Sequence, residues 1–238
     1  VVCYAIARRL GVDPQLAILV SGGTGICGAA AVMGLSGSIK VPPEKEDEKA
    51  NNEVMAVAII AIMGTIFALA EIVLGPLTGL SSTQLGITAG ASLHEIAHAV
   101  AAGAAFGAVD IATIMKLSRV LMLVFVSIIV AIWWDKRHSE VTEVGGKRKV
   151  AFPWFMLGFI ATAAIGTLFL QTVPASAGFI NALGGNVAKI FLGMAMASLG
   201  INVNFKAIAK TGVKPLIASF IASIILVLIC WGLAVLFF

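Results

Sequence analysis

Charged side chains are scarce in this sequence: they make up only 12% of its 238 residues, whereas 60% of the residues are hydrophobic. A soluble domain of this length does not need so much apolar surface. Several stretches approach the roughly 20 consecutive apolar residues that span a bilayer. Outer-membrane barrels have alternating strands of roughly ten residues, and that pattern is missing. The composition therefore predicts an all-α polytopic membrane protein.

Cysteine is scarce as well, and Cys3, Cys27 and Cys230 are far apart and odd in number. They imply no disulfide framework. No cleavable signal peptide is visible at the start of the chain. The sequence opens at Val1 as though part-way through a hydrophobic helix, so we expect further helices of the protein to precede it.

The positions of Lys and Arg set the expected topology, because these residues are retained on the cytoplasmic side. The basic loop at 135–150 is therefore expected inside, and so is the charged connector at 40–53. The loops at 75–83 and 171–178 contain neither Lys nor Arg and are expected outside. The predicted spans of this single transmembrane domain are residues 54–77, 111–134, 152–170, 179–203 and 215–238.

Two further apolar stretches, residues 16–35 and 82–106, are interrupted by glycine. Only one crossing fits between the outer end of the span at 54–77 and the inner end of the span at 111–134. Residues 82–106 are therefore expected to form a re-entrant hairpin from the outer side. The same reasoning predicts that residues 16–35 form a re-entrant hairpin from the cytoplasmic side.

The two broken stretches share a small-residue motif, GGT at 22–24 and GAS at 90–92. Two similar broken segments of opposite orientation predict the inverted-repeat core of a secondary transporter, and glycine-interrupted segments indicate its binding site. The alternative is that Gly and Ala only allow the helices to pack closely.

The broken segments also contain the candidate binding groups. A half-helix N-terminus offers free main-chain N–H groups to an anion, and we expect residues 21–24 and 91–94 to supply them. Lys116 and Arg119 share one helix face and add positive charge. Their alternative roles are ion pairing with Glu95 or Glu71, or reaching to the outer interface. The predicted substrate-binding residues are Ser21, Gly22, Gly23, Thr24, Gly25, Cys27, Gly90, Ser92, His94, Lys116 and Arg119.

His94, Glu95 and His98 are the predicted coupling residues, because His titrates near neutral pH and ionisable groups at membrane depth are by default functional. A structural hydrogen bond at the hairpin tip is the alternative. The same residues match the H-E-x-x-H zinc motif of metalloproteases. A zinc site needs a third protein ligand, and none follows at the expected spacing. An intramembrane zinc protease is therefore the weaker function, and no metal is predicted.

Five segments resemble the YeiH-type family of sulfate exporters: GTGICGAAAV at 23–32, GASLHEIAHAVAAG at 90–103, IATIMKLSRVLML at 111–123, PWF at 153–155 and MAMASLGINV at 194–203. The resemblance extends over essentially the whole chain. It implies a prokaryotic inner-membrane exporter with additional N-terminal helices. The chain differs from the family at His98, where relatives commonly carry Gln, and at its charged insert at 42–53.

The sequence thus predicts a multi-pass secondary active transporter of the inner membrane. Its substrate would be a small anion, sulfate or a related oxyanion or organic anion, and its coupling ion H⁺ or Na⁺. No enzymatic activity, cofactor or nucleic-acid partner is expected. The lipid bilayer is the surrounding partner, and a homo-oligomer is compatible with the sequence.

Overall fold

The structure is a computed structural model that describes residues 1–137, 154–172, 178, 187–201 and 212–238. Of these residues 89% are helical and none lies in a strand, which confirms the all-α prediction. The α-helices are α1 (Val2–Arg9), α2 (Pro14–Gly25), α3 (Ala29–Ser38), α4 (Glu46–Leu74), α5 (Ser82–Ser92), α6 (Ile96–Phe106), α7 (Val109–Arg137), α8 (Trp154–Thr172), α9 (Ala188–Ile201) and α10 (Val213–Phe237).

Three of these segments are long and apolar enough to cross a membrane, namely Pro43–Thr78, Val109–Arg137 and Val213–Phe237. The predicted span at 152–170 corresponds to α8. The loop at 135–150 lies outside the described residues from position 138 on, and the span at 179–203 is described at 187–201, where α9 lies. The connector predicted at 40–53 is wrong in its second half, because α4 begins at Glu46. Three acidic residues in its first turn favour that early start, since carboxylates stabilise the positive end of a helix.

Helices α2 and α3 form a hairpin whose two ends meet the beginning of α4. Near the start of α2, Gln15 accepts a hydrogen bond of 3.1 Å from Asn52. Near the end of α3, the Ser36 hydroxyl donates to Glu53. Between these ends Gly22 packs so closely on Leu35 that an added Cβ would overlap it. The hairpin therefore enters and leaves the helix bundle at one end.

Helices α5 and α6 form a second hairpin at the opposite end of α4. A Cβ added at Gly75 would lie 3.1 Å from Phe106 of α6 and 3.2 Å from Leu85 of α5. Gly86, near the start of α5, packs on Ala108, just past the end of α6. Glu53 and Gly75 are 22 residues apart, which is about 33 Å at 1.5 Å per residue and close to the thickness of a bilayer core.

The tips of the two hairpins meet halfway along α4. Gly64 lies 11 residues from both Glu53 and Gly75, and it packs against His98 and the Cβ of His94. The first residues of α5 and α2 are 68 positions apart, as are the last residues of α6 and α3. Each pair is followed by a helix of 29 residues. An inverted repeat would produce this equal spacing between corresponding helix ends. The repeat itself stays a prediction.

Candidate functional site

The candidate site is the crossing, which we define as residues 25–29 between α2 and α3 and residues 92–96 between α5 and α6. Gly28 has φ +73°, a conformation that suits only glycine, and an added Cβ would overlap the side chain of Glu95. The main-chain N–H of Ala29 donates to Oε1 of Glu95 at 3.4 Å. The two breaks are therefore in direct contact.

The predicted source of the main-chain donors is wrong. Residues 21–24 lie inside α2, and residues 91 and 92 are the last of α5, so these positions lie at the carbonyl ends of the half-helices. The free N–H groups belong instead to the first turns of α3 and α6, after each break. Helix α2 does not end at the glycines of the first motif. Gly22 packs closely on α3, and Gly23 packs closely on α3 and α4, so these contacts stabilise the helix there.

Lys116 and Arg119 of α7 bind the carbonyl ends of both broken helices. The Lys116 ammonium, which is fully buried, donates to the carbonyls of Ile26, at 3.3 Å, and Leu93. The Arg119 guanidinium donates to the carbonyl of Thr24 at 3.1 Å and to that of Leu93 at 3.2 Å. It also donates to the carbonyl of Ala91.

These contacts give the two cations a role that neither sequence-based alternative included. Within the described part of the chain, the hydrogen bonds of Lys116 and Arg119 go to main-chain carbonyls and not to Glu95 or Glu71. The last carbonyls of a helix have no partner inside that helix and carry partial negative charge. Two cations on one helix therefore stabilise both breaks at once.

Glu95 lies between the two breaks and is 3% exposed. Its Oε1 accepts from Ala29, while its Oε2 is buried and has no hydrogen-bond partner among the described residues. Glu95 is also the N-cap residue of α6, but no side chain caps that helix. A buried carboxylate with an unused oxygen is costly unless a proton, an ion or a ligand satisfies it.

His94 and His98 contact different helices. Nε2 of His94 lies 2.9 Å from the Ser223 hydroxyl of α10, whereas Nε2 of His98 lies 3.4 Å from the Thr65 hydroxyl of α4. Nδ1 of each ring is buried, and no described residue is its hydrogen-bond partner. Glu95 between them is in extended conformation (φ −119°, ψ 157°).

This arrangement does not fit the zinc motif. The motif needs both histidines on one face of one helix, but α6 begins only at Ile96, so His94 precedes it. Among the described residues, no group of three or more His, Cys, Asp or Glu side chains is placed to hold a metal ion.

Hydroxyl groups join α10 and α4 to the crossing. The Thr24 hydroxyl donates to the carbonyl of Val20 and lies 2.8 Å from the Ser219 hydroxyl of α10. The Ser92 hydroxyl is hydrogen bonded to Oε1 of Glu71 on α4 at 2.6 Å. Cys27 is buried inside the first break. These three predicted residues therefore lie at the site or beside it.

Of the remaining predicted binding residues, Ser21 bonds within its own helix and all the glycines except Gly25 pack against neighbouring helices. The Ser21 hydroxyl donates to the carbonyl of Ala17 in its own helix. Gly23 packs on Ile60, and Gly90 packs on the main chain of Ala112. Close packing of Gly and Ala, the alternative considered for the sequence motif, therefore explains these glycines. Gly25 has no atom within 4 Å of an added Cβ.

Comparisons with known proteins identify the family. UPF0324 membrane protein BL1094 of Bifidobacterium longum is 69% identical over 241 residues, which cover the whole chain and 66% of that protein. A UPF0324 membrane protein of Lactobacillus johnsonii is 46% identical and covers the whole chain and 69% of its own length. A family model described as Conserved hypothetical protein 698 matches residues 1–219. The chain belongs to the UPF0324 family of membrane proteins.

The family match confirms the YeiH-type resemblance. UPF0324 relatives carry names that state a membrane protein and no activity. The chain spans about two thirds of the length of these curated relatives. No solved structure matches the chain.

The contribution of α10 to the candidate site of this UPF0324 protein was not predicted from the sequence. Ser219 and Ser223 are buried one turn apart and contact Thr24 and His94. Their spacing was a usable signal, because two hydroxyls four residues apart in an apolar span share one helix face. Phe67 of α4 was also missed; its ring centroid lies 6.0 Å from that of His94.

Two clefts flank the crossing, and both are lined by α4 and α10. The Asp13 cleft, of about 520 Å³, lies at the start of α4 and includes Asp13, Asn52 and Lys214. The Glu71 cleft, of about 220 Å³, lies toward the other end and includes Glu71 and Trp231. Along α10, Ser219, Phe220 and Ser223 lie between the residues that line one cleft and those that line the other. Phe220 packs on Phe67 of α4, with ring centroids 5.6 Å apart.

Proposed function

We propose that this UPF0324 protein is a secondary active transporter that moves a small anion across the inner membrane of a prokaryote. The observation that carries the proposal is the contact between the two helix breaks, halfway along a helix long enough to span a bilayer. At membrane depth, non-helical backbone is tolerated only where protein or a water-filled cavity satisfies it. Transporters use such breaks to hold their substrates.

The charges around the crossing favour an anion as the substrate. The carbonyl ends of α2 and α5 are already paired with Lys116 and Arg119. The N-terminal ends of α3 and α6 carry partial positive charge; the first turn of α3 donates to the Glu95 carboxylate, and no side chain of the described residues caps α6. An anion at these ends would meet main-chain donors and a region of positive charge.

The two clefts support alternating access as the mechanism. The clefts lie toward different ends of α4, and α10 lines both. A shift of α10 relative to the hairpins would break the Thr24–Ser219 and His94–Ser223 contacts. The same shift would open one cleft and close the other. In this proposal the two hairpins are an inverted repeat, and they re-enter the membrane from opposite sides.

Coupling is assigned to Glu95, His94 and His98, with H⁺ or Na⁺ as the driving ion. All three side chains have a buried polar atom that has no hydrogen-bond partner in the described part of the chain. Uncompensated polar atoms inside a membrane protein mark ion and proton pathways. The proposed activity moves its substrate without chemical conversion, so no catalytic residue is assigned.

The test is uptake of radiolabelled sulfate into proteoliposomes that contain the full-length protein, with an imposed pH or Na⁺ gradient. We expect saturable uptake that one of the two gradients accelerates in the wild type. Glu95→Gln should abolish the acceleration, because it removes the ionisable group at the crossing. Asp110→Asn is the matched control, since it removes a carboxylate from an exposed position outside the crossing and both clefts.

Two results would contradict the proposal. Absence of uptake by correctly folded wild type, for sulfate and for a panel of small organic anions, would remove anion transport. Uptake that rises linearly with concentration and ignores both gradients would indicate a channel instead of a coupled transporter.

A further inference from the structure

The first turn of α3 offers an anion-binding position that a side chain of the protein already fills. The main-chain N–H of Ala29 points at the Glu95 carboxylate. Gly28, which precedes it, leaves space that a Cβ would close, so the carboxylate lies directly against the break. Negative charge at the start of a helix is favourable because the free N–H groups are there.

The carboxylate is held weakly in this position. Its one contact with the helix is 3.4 Å long, whereas charge-assisted N–H···O bonds are typically about 2.7–2.9 Å. Oε2 of Glu95 is buried, and it has no hydrogen-bond partner in the part of the chain that the structure describes. A small oxyanion is also negatively charged and has more acceptor oxygens than a carboxylate. It can therefore replace the carboxylate and accept the same hydrogen bond from the main-chain N–H of Ala29.

We infer that the N-terminus of α3 is an anion subsite, that the Glu95 carboxylate fills it in the absence of substrate, and that substrate and carboxylate compete for it. This inference rests on the proposed function and adds a coupling rule to it. When an oxyanion or carboxylate substrate enters, Glu95 leaves the helix terminus and takes up a proton. One proton is then carried with each anion.

Other titratable groups surround Glu95 and remain in place when it is changed. They are Lys116 and Arg119 on α7, His94 and His98 on either side of it in the chain, and Cys27 in the facing break. Glu71 on α4 lies farther away and is bonded to Ser92. The pH dependence assigned to Glu95 must therefore be separated from that of the two histidines, which substitution of Glu95 alone can do.

The test is equilibrium binding of radiolabelled sulfate to the purified full-length protein in detergent, between pH 5 and pH 9. For the wild type we expect affinity to fall as pH rises, by up to about tenfold per pH unit, because one proton is linked to one anion. In Glu95→Gln the competitor is gone, so affinity should be at least that of the wild type at pH 5 and should not change with pH. Asp110→Asn, which removes a carboxylate from an exposed position of α7 outside the crossing and both clefts, should keep the wild-type pH dependence.

Three outcomes would overturn the inference. Glu95→Gln with weakened binding would make Glu95 a direct ligand of the anion. A pH dependence that persists in Glu95→Gln would assign the linkage to His94 or His98. A loss of pH dependence in Asp110→Asn as well would mean that removal of any carboxylate has the same effect. Each of these leaves anion transport itself intact, whereas failure of all variants to bind sulfate would contradict both proposals for this oxyanion.

Discussion

At the scale of single residues, the structure depends on Lys116 and Arg119 as caps for two interrupted helices. A broken helix in a membrane exposes carbonyls that lipid cannot satisfy. The described hydrogen bonds of both cations go to such carbonyls. They are the carbonyls of Thr24 and Ile26 at the first break and those of Ala91 and Leu93 at the second. The positive charges that the sequence assigned to substrate binding are therefore held in structural contacts.

Replacing Lys116 with Met should destabilise the protein even when no anion is present. The substitution leaves the buried carbonyl of Ile26 without this donor, at roughly 1–3 kcal/mol, whereas the carbonyl of Leu93 keeps its bond to Arg119. Thermal unfolding of the full-length protein in detergent measures the effect. Ser118→Ala, at an exposed position of the same helix, is the control. An unchanged melting temperature together with lost sulfate binding would instead make Lys116 a substrate ligand.

Gly28 should tolerate no side chain, in contrast to Gly25 three residues earlier. Gly28→Ala combines an unfavourable positive φ with an overlap on Glu95, and such strain costs about 1–3 kcal/mol. Gly25→Ala meets no atom within 4 Å and is expected to fold normally. The monodisperse fraction on size-exclusion chromatography distinguishes the two. Equal behaviour of both variants would contradict the described contact between the breaks.

At the scale of elements, the molecule is organised by two hairpins that approach the same point from opposite ends of α4. Because Leu85 and Phe106 both reach Gly75, residues near the two ends of the second hairpin should be exposed on one side of the membrane. Residues at the first hairpin's ends should be exposed on the other.

Single cysteines tested with a membrane-impermeant maleimide can establish this topology. Thr83→Cys and Ala105→Cys should be labelled from the same side, and Lys40→Cys only from the opposite side. All three positions are exposed, while the native Cys3, Cys27 and Cys230 are buried and should label slowly. Labelling of Thr83→Cys and Ala105→Cys from opposite sides would show that residues 82–106 cross the membrane once.

The sequence was informative about these elements up to a definite limit. Glycine and polar residues inside apolar stretches predicted that residues 16–35 and 82–106 contain breaks, and α2–α3 and α5–α6 contain them. The exact break depends on long-range contacts, since Gly22 and Gly23 remain helical against α3 and α4. The roles of Lys116 and Ser223 depend on which groups the fold brings near them, and local spacing does not encode that.

At the scale of the whole molecule, α4, α7 and α10 are long apolar helices around a polar centre. The clefts at the two ends differ in lining: the Asp13 cleft contains Asp13, Glu48 and Lys214, while the walls of the Glu71 cleft are mostly apolar. An alternating-access transporter exposes its site through one such opening at a time. The two openings should therefore respond to substrate in opposite directions.

The most direct test of the account is cysteine accessibility in both clefts of the full-length protein in proteoliposomes. Met55→Cys reports on the Asp13 cleft and Thr88→Cys on the Glu71 cleft, with Lys40→Cys as a control whose labelling rate should stay constant. We expect saturating sulfate to raise the labelling rate at one cleft and lower it at the other. Rates that rise together at both clefts, or that change at neither in protein that binds sulfate, would contradict alternating access through the crossing.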